Sequence, residues 1–247
     1  MNEHLLKRFD ERLDKLTGRL QKMGTIALEQ VSEALRSLAE ADSERAGRVI
    51  ERDSTLDKLD IKVDKLGMAI VAAHQPVAMD LRLIMAGLSI NRMIERIGDC
   101  AVAIAEQVLT LQQQCVLVHR TMLLETGASA TCMVESAMRA FLDMDPARAR
   151  EVVIAGTSLA EIEKHNFTHV IGLMAEDSSL VEPCSQLLLV SRNSKRIADE
   201  AAAIAEEVIF IVEAVIVRHK KLTDITPRTL AAPAPDTSSD NASLPSA

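Results

Sequence analysis

Four aspartates, Asp53, Asp57, Asp60 and Asp64, follow one another at steps of four, three and four. On a helix that spacing places them in one row along one face. A second acidic set, Glu95, Asp99 and Glu106, lies some forty residues later. Three acids of the first row stand one residue past an apolar one, as Leu56 precedes Asp57, Leu59 precedes Asp60 and Val63 precedes Asp64. Glu95 likewise follows Ile94. Both rows therefore border a helix contact. Like charges four apart on a helix repel, more strongly beside a low-dielectric seam. Two compensations are open: the nearby bases Lys58, Lys62, Arg92 and Arg96, or a bound cation. Carboxylates projecting from facing helices form all-oxygen sites suited to Mg²⁺, Ca²⁺, Mn²⁺ or iron. Ordinary solvated ion pairs are the plain alternative.

Other chemistry is sparse. His165 and His169 stand four apart without an obvious third ligand, and a helix surface explains them. His74 and His119 fall at element ends, so no histidine joins the acids. Cys100, Cys115, Cys132 and Cys184 have no metal-ligand spacing and read as reduced, structural thiols. Phosphate-binding loops, HExxH, nucleophile elbows and dinucleotide turns are all absent from the sequence.

The elements that must carry the acids are helices. With no Trp or Tyr, four Phe and nine Gly in 247 residues, the core must be aliphatic, a composition that suits helices better than strands. The periodicity predicts six. Helix one covers about 2–39, with the seam Leu6, Phe9, Leu13, Leu16, Leu20 and Met23. Helix two covers about 44–73, with Val49, Leu56, Leu59, Val63, Leu66 and Ile70. Helix three covers about 79–113, with Ile90, Ile94, Ile97, Ala101, Ile104, Val108 and Leu111. Asp42 and Ser43 can cap the second helix, and His74-Gln75-Pro76 ends it. The pattern then restarts at about 117–142, from Asp145-Pro146 to about 175, and to about 220 after a turn containing Ser178, Ser179 and Pro183. Val49 lies 103 residues before Val152, and Leu56 before Leu159. Ile97 lies 100 before Ile197, and Ile104 before Ile204. The chain is thus read as all-α, with two tandem three-helix bundles over 1–114 and 115–222. The segment 223–247, rich in Pro, Ala and Ser, is expected to be a disordered tail.

A net charge of −8 without a basic aromatic surface argues against nucleic-acid binding. The charged amphipathic start is not a signal peptide, and no apolar run of about 18 residues spans a membrane. Docking onto a membrane complex stays open.

Four segments carry a resemblance: RVIERD (48–53), HQPVAMDLRLIM (74–85), IERIGDCA (94–101) and the echo RIADEAAAIAEEVIF (196–210). The chain resembles the PhoU family, accessory proteins of bacterial phosphate transport and signalling, from about residue 5 to 220. The resemblance implies two similar three-helix bundles. It also implies a metal motif of two [Glu/Asp]-x-x-x-Asp segments per bundle, which here gives Asp53, Asp57, Glu95 and Asp99 as ligands for iron or another divalent transition metal. In the second bundle Gly156, Ala160 and Lys195 stand where the ligands belong, and only Asp199 remains. Glu161, Glu163 and Glu200 are one or more positions off the pattern. One metal site in the first repeat is therefore expected, or no stable metal at all.

The resemblance further implies a non-enzymatic, cytoplasmic negative regulator of the phosphate-starvation response. Its partners would be the ATPase subunit of a phosphate ABC transporter and a sensor histidine kinase, reached at the inner membrane, with homodimerisation expected. A regulator of another phosphate transporter, such as a sodium–phosphate symporter, and a metal-dependent enzyme or metal store are the competing readings.

Overall fold

The computed structural model describes residues 2–111 and 120–218. Six long helices follow in order: α1 Asn2–Glu40, α2 Ser43–His74, α3 Ala78–Thr110, α4 Arg120–Asp143, α5 Pro146–Glu176 and α6 Val181–Glu213. A single 3₁₀ turn, Ser178–Leu180, precedes α6, and no strand occurs among the described residues. The expected tail, Cys115, His119 and the expected start of the fourth helix at 117 lie outside the described residues.

The helices form two three-helix bundles. In one, α1, α2 and α3 pack on each other; in the other, α4, α5 and α6 do so. The halves join through α3 against α6 and α1 against α4. The seams bury as the periodicity demands: Leu16, Leu20, Met23, Val49, Leu56, Val63 and Ile70 are at most 2 % exposed, and so are Ile90, Ile94, Ile97, Ala101 and Ile104. One continuous apolar core runs through both halves.

The repeat extends to the turns. Ala41 and Met144, 103 residues apart, both adopt left-handed backbone, with φ of 55° and 50°. In each case the next residue is an aspartate whose N–H reaches back to a helix carbonyl, Asp42 to Ser37 O and Asp145 to Ala140 O, both at 2.9 Å. Each aspartate then caps the following helix: the Asp42 carboxylate accepts from Arg45 N–H, and that of Asp145 from the N–H groups of Ala147 and Arg148. Pro146 occupies the first turn of α5, where its missing N–H costs nothing. The α1–α4 contact is reciprocal too. A Cβ on Gly24 would stand 2.6 Å from the Met138 side chain, and one on Gly127 would stand 2.5 Å from Leu35. These pairs exchange under the same 103-residue offset, so both glycines exist to let the helices approach.

Three boundaries differ from expectation. Pro183 lies within the first turn of α6 rather than before it, a position the ring tolerates. At the other end, α6 stops at Glu213 instead of about 220. Ala214 turns left-handed at φ 57° and its N–H caps Phe210 O at 3.0 Å. The chain then leaves the helix axis and buries Val217, while Arg218 pairs with the buried Glu207. Similarly α3 ends at Thr110, because Leu111 is extended and its N–H bonds Gln107 O.

Candidate functional site

The two acidic rows come together on the α2–α3 face of the first bundle. Asp53, Asp60, Asp64 and Glu95 are half-buried, whereas Asp57, Asp99 and Glu106 are exposed. Their charges are felt mutually. Glu95 has its pKa raised, first by burial and then by Asp99, Asp60, Asp57 and Asp53. Burial also raises Asp53, with Asp57 and Asp99 adding to it. Asp99 is raised by burial and by Asp57. The four carboxylates named by the family motif thus share one electrostatic environment. Among the described residues, however, no three His, Cys, Asp or Glu side chains converge in a metal-ligating arrangement.

Two buried amides hold the acids, and neither was legible as part of the site. Gln30, from α1 and 1 % exposed, donates its Nε2 to Asp53 Oδ1 at 3.3 Å and so favours the charged carboxylate. Asn91, fully buried in α3, donates its Nδ2 to Asp60 Oδ1 at 2.7 Å and to Asp64 Oδ1 at 3.2 Å. The carbonyl oxygens of both amides are buried with no hydrogen-bond partner among the described residues. The clue available in the sequence was a polar residue within an apolar seam: Gln30 falls between Ala27 and Ala34 at helical spacing.

Gly98 makes the close approach possible. A Cβ there would stand 2.3 Å from Leu56 Cδ2 and 3.4 Å from both Asp53 Oδ1 and Gln30 Oε1. Cys100, next to Asp99, has its thiol pushed up to about 11, chiefly by burial, so it is a neutral group and not a thiolate donor.

Compensation by local bases, one of the two routes open from the sequence, is only partial. Arg92 acts on Asp60. Arg96 instead crosses to the other bundle, with its Nη1 3.4 Å from Glu200 Oε1. The positive charge acting on Asp99 is Arg196, from the second half.

The second bundle replaces the arrangement piece by piece. Under the repeat offset, Gln30 becomes Met133, Asp53 becomes Gly156, Gly98 becomes Ala198 and Asn91 becomes Ser191. Met133 Cε lies 3.4 Å from where a Gly156 Cβ would be, so an apolar contact stands in place of the Gln30–Asp53 hydrogen bond. Asp199 is tied to Lys195 Nζ at 2.5 Å. Glu161 is exposed and Glu200 pairs with Arg96. A groove of about 610 Å³ between α4 and α5 is lined here by Met133, Val152, Leu159 and Ile162. His165 and His169 lie exposed on α5.

Raised carboxylate pKa values give the metal-free protein an unusual pH response. Asp53, Asp60, Glu95 and Asp99 bind protons more tightly folded than unfolded, since their folded values lie above the ordinary 3.8 or 4.5. Their penalty on stability is fully present above the folded values and lifts as they protonate. As the pH falls from neutral into the carboxylate range, the thermal midpoint of the wild type in chelator is expected to rise relative to that of an Asp57→Ala/Asp99→Ala variant, in which the repulsion is relieved. Parallel pH profiles for the two proteins would contradict the shared repulsion.

These features define a class: an all-helical, internally duplicated bundle protein with a carboxylate cluster on one half. The comparisons narrow it. The family model described as the PhoU domain matches twice, at residues 20–108 and 123–208. The chain is 31 % identical over 208 residues to the Zymomonas mobilis "Phosphate-specific transport system accessory protein PhoU homolog", covering 84 % of this chain and 87 % of that one. The crystal structure of PhoU from Pseudomonas aeruginosa superposes with a TM-score of 0.80 at 28 % identity, over 84 % of this chain and all of that one. The phosphate transport system regulatory protein PhoU from Streptococcus pneumoniae gives 0.79 at 25 % identity, over 85 % and 99 %. The chain belongs to the PhoU family.

Proposed function

We propose that this protein is a cytoplasmic, non-enzymatic accessory regulator of phosphate transport. In this reading it represses the phosphate-starvation response by linking a phosphate ABC transporter, through its ATPase subunit, to a sensor histidine kinase, and it works as a homodimer. The observation that carries the reading is the family match, which recurs in both repeats of the chain. Relatives matched over most of their length are described as accessory proteins of the phosphate-specific transport system. Among the described residues no helix is long and apolar enough to cross a membrane, which agrees with a role at the membrane through partners.

The proposal includes one cation site, in the first repeat. Asp53, Asp57, Glu95 and Asp99 would hold iron or another divalent transition metal. Their oxygens, two half-buried on Asp53 and Glu95 and two exposed on Asp57 and Asp99, repel one another, and a cation would remove the repulsion that adds to the raised Glu95 and Asp99. A bound ion would supply positive charge to a one-sided face that Asp53 and Asp57 of α2 and Glu95 and Asp99 of α3 border. In the second repeat Lys195 already neutralises Asp199.

Deleting the gene in its own host tests the regulatory reading. A reporter for phosphate-starvation genes is expected to switch on in phosphate-rich medium. Unchanged output in the deletion strain overturns the reading.

A further inference from the structure

Nothing in the local sequence obliges the chain to turn at Ala214. Val215, Ile216, Val217 and Arg218 include no glycine or proline, and their apolar pattern continues that of α6. Ala214 nonetheless adopts φ 57° and ψ 27°, a left-handed conformation disfavoured for a residue with a Cβ. The turn also leaves helical hydrogen bonds unmade. The N–H groups of Val215, Ile216, Val217 and Arg218 find no backbone acceptor among the described residues. The Ile211 carbonyl, which a continued helix would give to Val215 N–H, accepts instead from Arg82 Nε of α3 at 3.1 Å. Backbone strain and backbone hydrogen bonding thus both favour a longer α6.

Tertiary contacts oppose them. Val217 is 4 % exposed and joins the common core. Glu207, the one buried charged side chain among the described residues, pairs with Arg218. That pair requires the turn. In a continued helix Arg218 would stand eleven residues beyond Glu207, about 16 Å along the axis and farther than its side chain reaches. Nor does α6 offer Glu207 a base one turn on, where Phe210 and Ile211 stand. The turned-back segment also closes one wall of a recess of about 250 Å³ between α3 and α6, lined by Met85, Ala86, Phe210, Ile216 and Glu207. In the first repeat Gln107 and Val118 occupy the sequence positions of Glu207 and Arg218, so this charge pair belongs to the second repeat.

We infer that residues 214–218 are a two-state switch at the junction of the two bundles. Turned back, the segment is held by the Glu207–Arg218 pair, by burial of Val217 and by Arg82 on the Ile211 carbonyl. Released, it continues α6 as a helix and uncovers an apolar recess with Glu207, then hydrated, on its wall. The same few residues therefore set both the length of α6 and the surface offered where α3 meets α6. Local backbone preference and tertiary contact pull in opposite directions here, which is the condition for two states of similar energy.

The test uses the full chain and reads amide hydrogen exchange and Cα chemical shifts at residues 215–218. Wild type is compared with Glu207→Gln, with Glu207→Gln/Arg82→Gln, and with that double variant carrying Ala214→Gly. Glutamine keeps the shape of Glu207, and Gln107 fills the equivalent place in the first repeat. Loss of the charge is expected to move the balance toward the helix by about tenfold, the worth of a charge-assisted hydrogen bond. Exchange at 215–218 then slows and the shifts become helical, most in the double variant. Ala214→Gly is expected to reverse this by about tenfold, because glycine relieves the left-handed turn and weakens the helix. A segment that only frays has the opposite signature: exchange at 215–218 stays as fast as in wild type, and protection at 208–213 falls. That signature, or unchanged exchange and shifts in both glutamine variants, overturns the switch. Ala214→Gly in the wild-type background gives a second reading, with an expected rise in thermal midpoint; a fall would show that the turn stores no strain and would also overturn the switch.

Discussion

Asp57→Ala/Asp99→Ala is expected to abolish stoichiometric cation binding while raising the thermal midpoint of the metal-free protein. Both side chains are exposed, so neither truncation opens a cavity. Both add to the repulsion felt by their neighbours: Asp57 and Asp99 raise Asp53 and Glu95, and Asp57 raises Asp99. Removing them relieves that repulsion, while Gln30 still holds Asp53. If both are ligands, as proposed, their loss should exceed the roughly 10–100-fold typical of losing one supporting partner. Elemental analysis of protein purified without chelator, beside the variant, reads the first effect, and calorimetry in chelator reads the second. Equal metal content in both proteins would remove these four residues as the site. A lower metal-free midpoint would remove the repulsion.

Phe141→Ala gives the second large effect, on folding alone. Phe141 is fully buried near the end of α4, in the place that Leu38 fills in the first bundle. Truncating a buried Phe typically costs about 3–5 kcal/mol through lost transfer energy and the residual cavity. For a chain of this size that corresponds to a midpoint drop on the order of 10 °C. Phe167, at 49 % exposure on α5, is the control, with an expected change within about 0.5 kcal/mol. Similar losses from the two substitutions, measured by thermal or denaturant unfolding, would mean that the α4 core is not packed as described. Cation binding in the first bundle should survive Phe141→Ala at temperatures where the variant is folded.

Most of the scaffold was legible because it repeats a single physical signal. Apolar residues at steps of three and four predict buried seams, and Leu56, Val63, Ile94 and Ile97 are buried. Asp42 and Asp145 announce helix starts by their cap chemistry. The end of α6 was hidden because Ala214 takes a left-handed conformation without the glycine that normally marks one. Val215, Ile216 and Val217 then prolong the apolar pattern past the true stop.

At the site, the carboxylate rows stood out because aspartates recur at helical spacing beside a seam. Gln30 and Asn91 did not, since a single amide inside an apolar stripe carries no periodic signal. Its meaning appears only when α1, α2 and α3 are brought together. The part played by Arg196 was hidden for another reason: it acts across the bundles, at a sequence distance no spacing rule covers.

The reciprocal contact of Gly24 with Met138 and of Gly127 with Leu35 makes the backbone close to indifferent to exchange of its halves. A partner that recognised shape alone would meet such a body in two poses of nearly equal energy, one reversed end for end. The acids of the first half, against the Lys195–Asp199 pair of the second, remove that ambiguity. Charge thus gives the duplicated scaffold a front and a back.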